Sequence, residues 1–429
     1  MPFSSLGFSP ATLPTLLRAL GEKGYLGPTA IQAAAIPAIL QGRDVVASAQ
    51  TGSGKTAAFS LPMLQQLAES GAKTPRRTRG LILVPTRELA AQVGEAIVGF
   101  AKYLPHRVKV AVLFGGVSIN PQMMNLRGGA DIVVATPGRL LDLVEHNALS
   151  LAAVSTLVLD EADRLLDLGF GEELGRILAL LPPQRQNLFF SATFPPAIEA
   201  LAASLLHTPL RIEVEATPEL KPDIMQRAIE VDAGRRTQLL RYLVQSEKWS
   251  RVLVFVATKH AAEIVADKLR KADIEAEPFH GELSQGKRTQ VLHDFKLSIV
   301  QVVVATDVAA RGIDIAQLPV VVNYDLPRSA VDYTHRIGRT GRAGERGVAI
   351  SFVSAATQAH FRLIEKRQRV TVPRERVAGF EPVEREVANN AGSPSSTSLP
   401  NGGIKGKRPS KKDKLREAAA RGQSLQQDK

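Results

Sequence analysis

Ala49-Gln50-Thr51-Gly52-Ser53-Gly54-Lys55-Thr56 decides how this 429-residue chain folds. Small residues let successive backbone N–H groups turn inward on an anion, the lysine reaches outer phosphates, and the threonine hydroxyl holds a divalent cation. Before the loop, Ile39 to Ala47 carries the apolar content of a strand, and after it Thr56 to Leu67 carries the apolar repeat of a helix. That strand–loop–helix setting favours phosphate binding over a tight turn alone. Farther along, the run Val154–Leu159, apolar apart from Ser155 and Thr156, leads into Asp160-Glu161-Ala162-Asp163. A buried strand with two carboxylates at its C-terminal end predicts that Asp160 holds the cation and that Glu161 orients and deprotonates an attacking water. Alone, Asp-Glu-Ala-Asp would read as the start of a solvated helix. Behind a phosphate loop it points to cleavage of a nucleoside triphosphate.

Working outward, apolar strand-like runs alternate with amphipathic helical stretches twice over. The first series is Asp44–Ala47, Gly80–Val84, Val108–Phe114, Asp131–Ala135, Thr156–Leu159 and Asn187–Phe190. The second is Arg251–Val256, Glu275–Pro278, Val300–Ala305, Val320–Asn323 and Ala349–Val353. Such alternation predicts an α/β chain with parallel sheets flanked by helices. The polar, proline-bearing stretch Glu215–Pro222 predicts a linker. The expected organisation is a first domain over 1–214, a linker over 215–222, a second domain over 223–372 and a basic tail over 373–429.

Composition agrees with this division. At 46.2 kDa the chain exceeds what one core organises, and 44% hydrophobic with 22% charged residues is a globular composition. The absence of cysteine excludes disulfides, thiolate zinc sites and thiol catalysis, and suits a reducing compartment. No leader-like N-terminus and no apolar run of membrane-spanning length are visible, so the expectation is a cytoplasmic protein without a membrane partner. A formal net charge of +12 and a pI near 9.9 favour a polyanionic partner. After Ile404, nine basic residues stand against three acidic ones, behind an Asn/Gly/Ser/Pro-rich stretch expected to be disordered. A solubilising tail and a nucleic-acid tether read equally well from that pattern.

With the loop and the acidic tetrapeptide in order, the chain resembles the DEAD-box RNA helicases of superfamily 2, over roughly residues 3 to 370. The run Pro85-Thr-Arg-Glu-Leu-Ala-Ala-Gln92, the Phe114-Gly-Gly116 turn and the short basic tail make it most similar to the bacterial RhlE-type branch. The resemblance implies two RecA-like domains, ATP with Mg²⁺, and RNA held with little sequence preference.

It also implies roles residue by residue. Gly24-Tyr-Leu-Gly-Pro-Thr-Ala-Ile-Gln32 is similar to the adenine-reading element, so Gln32 selects ATP and an upstream aromatic stacks on the base; Phe3 is taken as that ring, with Phe8 the alternative. Ala49, Gln50, Thr51, Gly52, Ser53, Gly54, Lys55 and Thr56 bind the phosphates, Thr56 and Asp160 hold the metal, and Lys55 and Glu161 act in catalysis. Pro85, Thr86, Arg87, Gly115, Gly116, Thr136, Gly138 and Arg139 meet RNA from the first domain, and Gln285, Arg288 and Thr306 from the second. Asp307 and Asp314 face the ribose and the domain interface, with Asp314 counted in the ATP site. Arg339 and Arg342 match the arginine fingers, whose planar forks suit growing phosphate charge. Ser191 and Thr193, through Asp163, couple hydrolysis to duplex opening, and His335 and Arg336 couple the two domains. The implied function is RNA-stimulated ATP hydrolysis with local unwinding of short duplexes by a monomeric core, in ribosome assembly or RNA turnover, with ribosomal precursors or decay enzymes as partners. An ATP-gated RNA clamp and a DNA-directed helicase are the rival readings.

Overall fold

The computed structural model describes residues 2–49, 52–71, 75–191, 193–214, 223–310, 318–341 and 346–383. The expected linker over 215–222 and the basic segment after Ile404 lie outside the described residues.

The first seven strands are β1 (Val45–Ser48), β2 (Gly80–Leu83), β3 (Val110–Leu113), β4 (Ile132–Ala135), β5 (Thr156–Asp160), β6 (Gln186–Ser191) and β7 (Leu210–Glu213). They form one parallel sheet in the order β3-β4-β2-β5-β6-β1-β7. The second sheet contains β8 (Ile224–Glu230), β9 (Val252–Val256), β10 (Ala276–Phe279), β11 (Val302–Thr306), β12 (Val320–Asn323), β13 (Gly347–Val353) and β14 (Arg374–Glu375). Its order, β10-β11-β9-β12-β13-β8-β14, repeats the first strand for strand, and it too is parallel. The chain is therefore a structural duplication in which only the first copy carries the phosphate loop.

Alternate residues of each central strand enter opposite cores, because successive side chains of a strand point to opposite faces. Ile82, Val134, Val158, Leu188 and Phe190 pack in one layer of the first domain, and Leu81, Leu83, Val133, Leu157, Leu159 and Phe189 in the other. In the second domain Val252, Val254 and Val256 face one layer while Leu253 and Phe255 face the other. Burial on both faces is why these strands read as continuous apolar runs in the sequence.

Three strands were not expected. β7 and β8 lie toward sheet margins and are only partly buried, with sequences Leu-Arg-Ile-Glu and Ile-Met-Gln-Arg-Ala-Ile-Glu that lack a continuous apolar run; β14 is two residues long. β14 also corrects the end of the second domain. Beyond Val372, β14 pairs with β8, Val377 and Phe380 pack on the core, Arg374 bonds Glu365 at 2.7 Å, and the Val383 N–H donates to Asp232 at 3.0 Å. The segment 373–383 therefore belongs to the domain and not to the tail.

Candidate nucleotide and nucleic-acid site

Strand order sorts the chemistry along the C-terminal edge of the first sheet. β1, β6 and β5 are consecutive neighbours, and they deliver the phosphate loop, Ser191 and Asp160 to adjacent positions. β2, β4 and β3 form the other half and deliver Pro85–Arg87, Thr136–Arg139 and Gly115–Gly116.

In the nucleotide half, Gly54 sits at φ +94°, and a Cβ there would fall 2.4 Å from Gln32 Nε2, so only glycine fits. Gln32 is fully buried. Its Nε2 donates to the Gly54 carbonyl at 3.1 Å, and its Oε1 accepts the Thr29 N–H at 2.9 Å. The amide assigned to adenine is thus bonded to the phosphate loop itself, an indirect grip that spacing alone did not show. Phe3 and Phe8 are both buried in the first-domain core, Phe3 edge-on to Tyr25 with ring centroids 6.5 Å apart. Exposure therefore does not single out Phe3 as a stacking platform. Gln50 and Thr51 lie outside the described residues.

Lys55 opens the helix Lys55–Glu69, and its Nζ lies 3.9 Å from Asp160 Oδ1. Burial pushes the Asp160 carboxyl up to about 6, opposed by Lys55 and reinforced by Glu161. Ser53 Oγ, Lys55 Nζ and Glu161 Oε2 are buried without a hydrogen-bond partner. Buried polar groups need partners. Phosphate oxygens would satisfy Ser53 and Lys55, and a cation would offset the cost of ionising Asp160, so these residues fit a nucleotide whose Mg²⁺ Thr56 and Asp160 would hold. No group of three or more His, Asp or Glu able to hold a metal occurs among the described residues.

Glu161 adopts φ +52°, a left-handed conformation that costs a non-glycine residue about 1–2 kcal/mol. Arg164, one turn on, places Nη1 3.4 Å from Glu161 Oε2, with both side chains buried. Arg164 was missed from sequence because an arginine at i+3 of a helix start ordinarily faces water. Asp163 accepts the Thr193 N–H at 3.2 Å and the Thr193 hydroxyl at 2.7 Å, and its own N–H donates to Ser191 Oγ at 3.3 Å. The acidic tetrapeptide and the end of β6 form one bonded unit.

The other half forms a groove of about 460 Å³. Thr86 caps the helix Arg87–Phe100, its hydroxyl accepting the Leu89 N–H at 3.3 Å, and Thr136 stands at the start of the helix Pro137–Glu145. Gly116 is at φ +75°, and a Cβ on it would fall 2.0 Å from the Arg87 guanidinium, which lies across it. Arg139 donates to the Val117 carbonyl at 2.7 Å while its Nε and Nη1 are buried without a hydrogen-bond partner. Pro85, Gly115 and Gly138 line the same groove, and so do Gly281, Arg288, Val308 and Ala309 of the second domain. The groove is therefore shared. Arg288 departs from its expected use: its guanidinium holds Glu88 of the first domain at 2.6–2.7 Å and donates to the His280 carbonyl at 3.1 Å. It lines the groove but latches the domains together. Gln285 opens the helix Gln285–Lys296 with its Oε1 buried and without a hydrogen-bond partner, and Thr306 ends β11.

The second-domain wall corrects two expectations. Arg336 is buried and bidentate on Asp307 at 2.6 and 2.7 Å, donates to Asn323 Oδ1 and the Asp325 carbonyl, and stacks over the Phe255 ring. All these partners lie in its own domain, so Arg336 clamps the ends of β9, β11 and β12 rather than coupling domains. Asp307, in turn, is occupied by that clamp. His335 does face the first domain: burial and then the Arg164 charge lower its pKa to about 4, with Asp163 and Glu161 opposing and Arg339 assisting. Arg339 follows the helix Ala330–Ile337 and is buried. Arg342 and Asp314 lie outside the described residues.

Comparison with known proteins agrees with this geometry. The DEAD/DEAH box helicase family matches residues 29–201, and the helicase conserved C-terminal domain matches residues 235–344. The chain is 42% identical to the ATP-dependent RNA helicase DeaD of Mycobacterium tuberculosis over 87% of its own length and 65% of that protein's. It thus spans a little under two thirds of that relative. It is 45% identical to the ATP-dependent RNA helicase DbpA of Escherichia coli, covering 82% of this chain and 75% of that one. Among solved structures it is similar to S. cerevisiae Dbp5 bound to RNA and ADP BeF3, with TM-score 0.76, 31% identity, and coverage of 87% and 95%. With the phosphate loop, the acidic tetrapeptide and the shared groove in place, the chain belongs to the DEAD-box helicase family.

Proposed function

We propose that this chain is an RNA-stimulated ATPase that opens short RNA duplexes by closing its two domains on one strand. The observation that carries this reading is the groove built from both domains and latched by Arg288 on Glu88. RNA lying there contacts both walls, so its binding favours closure. Closure sets His335 against the Glu161–Asp163–Arg164 cluster. Mg²⁺, held by Thr56 and Asp160, would supply charge neutralisation at the phosphates. Glu161, fixed by its left-handed backbone and by Arg164, takes the proton of the attacking water, while Lys55 and Arg339 offset phosphate charge. Thr86, Thr136 and the glycines address backbone phosphates, which carry no base code. The RNA and ADP BeF3 held by the related Dbp5 support the choice of ligands. Membership of the RhlE-type branch, a cytoplasmic monomer, and work on ribosomal precursors or in RNA decay are parts of the same proposal.

Strand displacement on matched RNA and DNA duplexes, with ATP or a non-hydrolysable analogue, tests this reading. RNA unwinding that requires ATP binding and recycles with hydrolysis is expected. ATP-dependent RNA retention without displacement would make the chain a clamp, and equal action on DNA would overturn the choice of RNA.

The closed arrangement also predicts a pH effect. His335 titrates near 6.5 when solvated and near 4 in the closed cleft, so closure requires the neutral ring. Below about pH 6.5, closing must expel a proton, and nucleotide-dependent RNA affinity should fall by up to about tenfold per pH unit, levelling off near pH 4. His335→Asn should flatten this part of the profile relative to the parent protein. An unchanged profile would remove His335 from the closing step.

A further inference from the structure

We infer that the N-terminal edge of the first sheet is a second RNA-binding site, which grips the phosphates of a segment flanking the one in the shared groove. The inference rests on the RNA reading above. Arg79 directly precedes β2, Lys109 precedes β3 and Asp131 precedes β4. These are the same three strands whose opposite ends carry the groove residues.

Around this edge the structure gathers Arg76, Arg77, Arg79, Arg107, Lys109 and Arg127. Asp131 organises the cluster: its carboxylate accepts Arg76 Nε at 3.1 Å and the Lys109 N–H at 2.8 Å. Arg76 also donates to the Arg107 carbonyl at 3.3 Å, and Lys109 Nζ donates to the Arg127 carbonyl at 2.9 Å. These contacts lock the backbone turns and leave Arg77, Arg107 and Arg127 exposed, with no ion-pair partner among the described residues. One carboxylate therefore fixes the cluster without neutralising it. Surface charges of one sign are normally interspersed with the other, and an unneutralised array of guanidinium forks fits a polyanion.

A groove of about 600 Å³ adjoins the cluster at Arg127, lined by Asn120, Met123, Met124, His146 and Asn147. Amides, an imidazole and flexible thioether chains suit bases or ribose beside a phosphate row. The four-residue strands hold this edge about 13 Å or more from the shared groove, at roughly 3.3 Å per residue. An RNA segment filling the shared groove must run on past it to reach this edge. The second site therefore takes a neighbouring stretch of the same molecule and tethers the helicase beside the duplex it opens.

The test is the triple variant Arg77→Ala, Arg107→Ala, Arg127→Ala in the full chain. None of these residues belongs to the nucleotide site or the shared groove. Binding and ATPase stimulation are measured with a ten-nucleotide RNA and with the same RNA extended by a further fifteen nucleotides, at several salt concentrations. The variant should match the parent on the short RNA, which also reports intact folding. On the extended RNA it should bind roughly tenfold more weakly, with a log–log salt slope shallower by about 0.7 for each lost phosphate contact on a single strand. Equal affinity of parent and variant for the extended RNA overturns the second site. Failure of the parent protein to bind the short RNA at all overturns the RNA reading instead.

Discussion

Glu161→Gln should lower ATP turnover by about 10²–10⁴-fold, roughly 3–5 kcal/mol of barrier, while leaving ATP and RNA binding close to normal. The amide is nearly isosteric, so it keeps the side chain's packing, but it does not take the proton of water. The setting makes the expectation sharp. Glu161 occupies a strained left-handed backbone conformation, its carboxylate is buried against Arg164, and Oε2 has no hydrogen-bond partner. A purely structural glutamate would have no need of that strain, whereas a group aimed at a bound water does. Steady-state ATPase at saturating RNA, set against equilibrium binding of a fluorescent nucleotide, checks the result. Turnover within a few fold of the parent would remove Glu161 from the chemistry.

Reversing one partner of the latch should have the next largest effect. Glu88 and Arg288 come from different domains, are nine-tenths buried, and meet at 2.6 Å. Glu88→Arg or Arg288→Glu brings two like charges into that interface. Breaking a buried pair typically costs about 3–5 kcal/mol, on the order of 10²–10⁴-fold in the closing equilibrium. The RNA concentration for half-maximal ATPase activity should rise accordingly, with a smaller change in turnover at saturating RNA. Combining both reversals should restore part of the loss, because the pair is re-formed with opposite polarity. The bond from Arg288 to the His280 carbonyl and its stacking on Phe279 are not regained. A fluorescence-transfer pair across the domains reads closure directly. Single variants that close and respond to RNA like the parent would mean the contact is incidental.

Much of the architecture was legible in the chain. The central strands announced themselves as unbroken apolar runs, because helices cover both faces of the sheet and every side chain along Leu81–Leu83 or Val252–Val256 is buried. β7 and β8 did not, since one face of each is partly open to water and polar residues are tolerated there. The segment 373–383 looked like the beginning of a tail because its anchors, Val377 and Phe380, are isolated apolar residues among charged ones. The partners of Phe380 lie more than a hundred residues away, at Arg235 and Tyr242. Local pattern cannot report contacts of that separation.

The same division holds for the candidate site. The placement of Gly54 and Lys55 in the loop and of Asp160 and Glu161 at the end of β5 was legible, because strand ends and helix starts are local features. Which arginine does what was not readable. Arg164, Arg288 and Arg336 are each a guanidinium in a helix, with no local mark to tell one pairing from another. Tertiary structure assigned Arg164 to Glu161, Arg288 to Glu88 across the domains, and Arg336 to Asp307 within its own. A long flexible cation takes its role from the carboxylate that folding brings within about 4 Å, where Coulomb attraction in a buried setting outweighs solvation only for well-placed pairs. By itself the sequence determined the chemistry and the order of the strands' cargo. Only the packing of two repeated sheets decided which charges pair and which are left to meet a ligand.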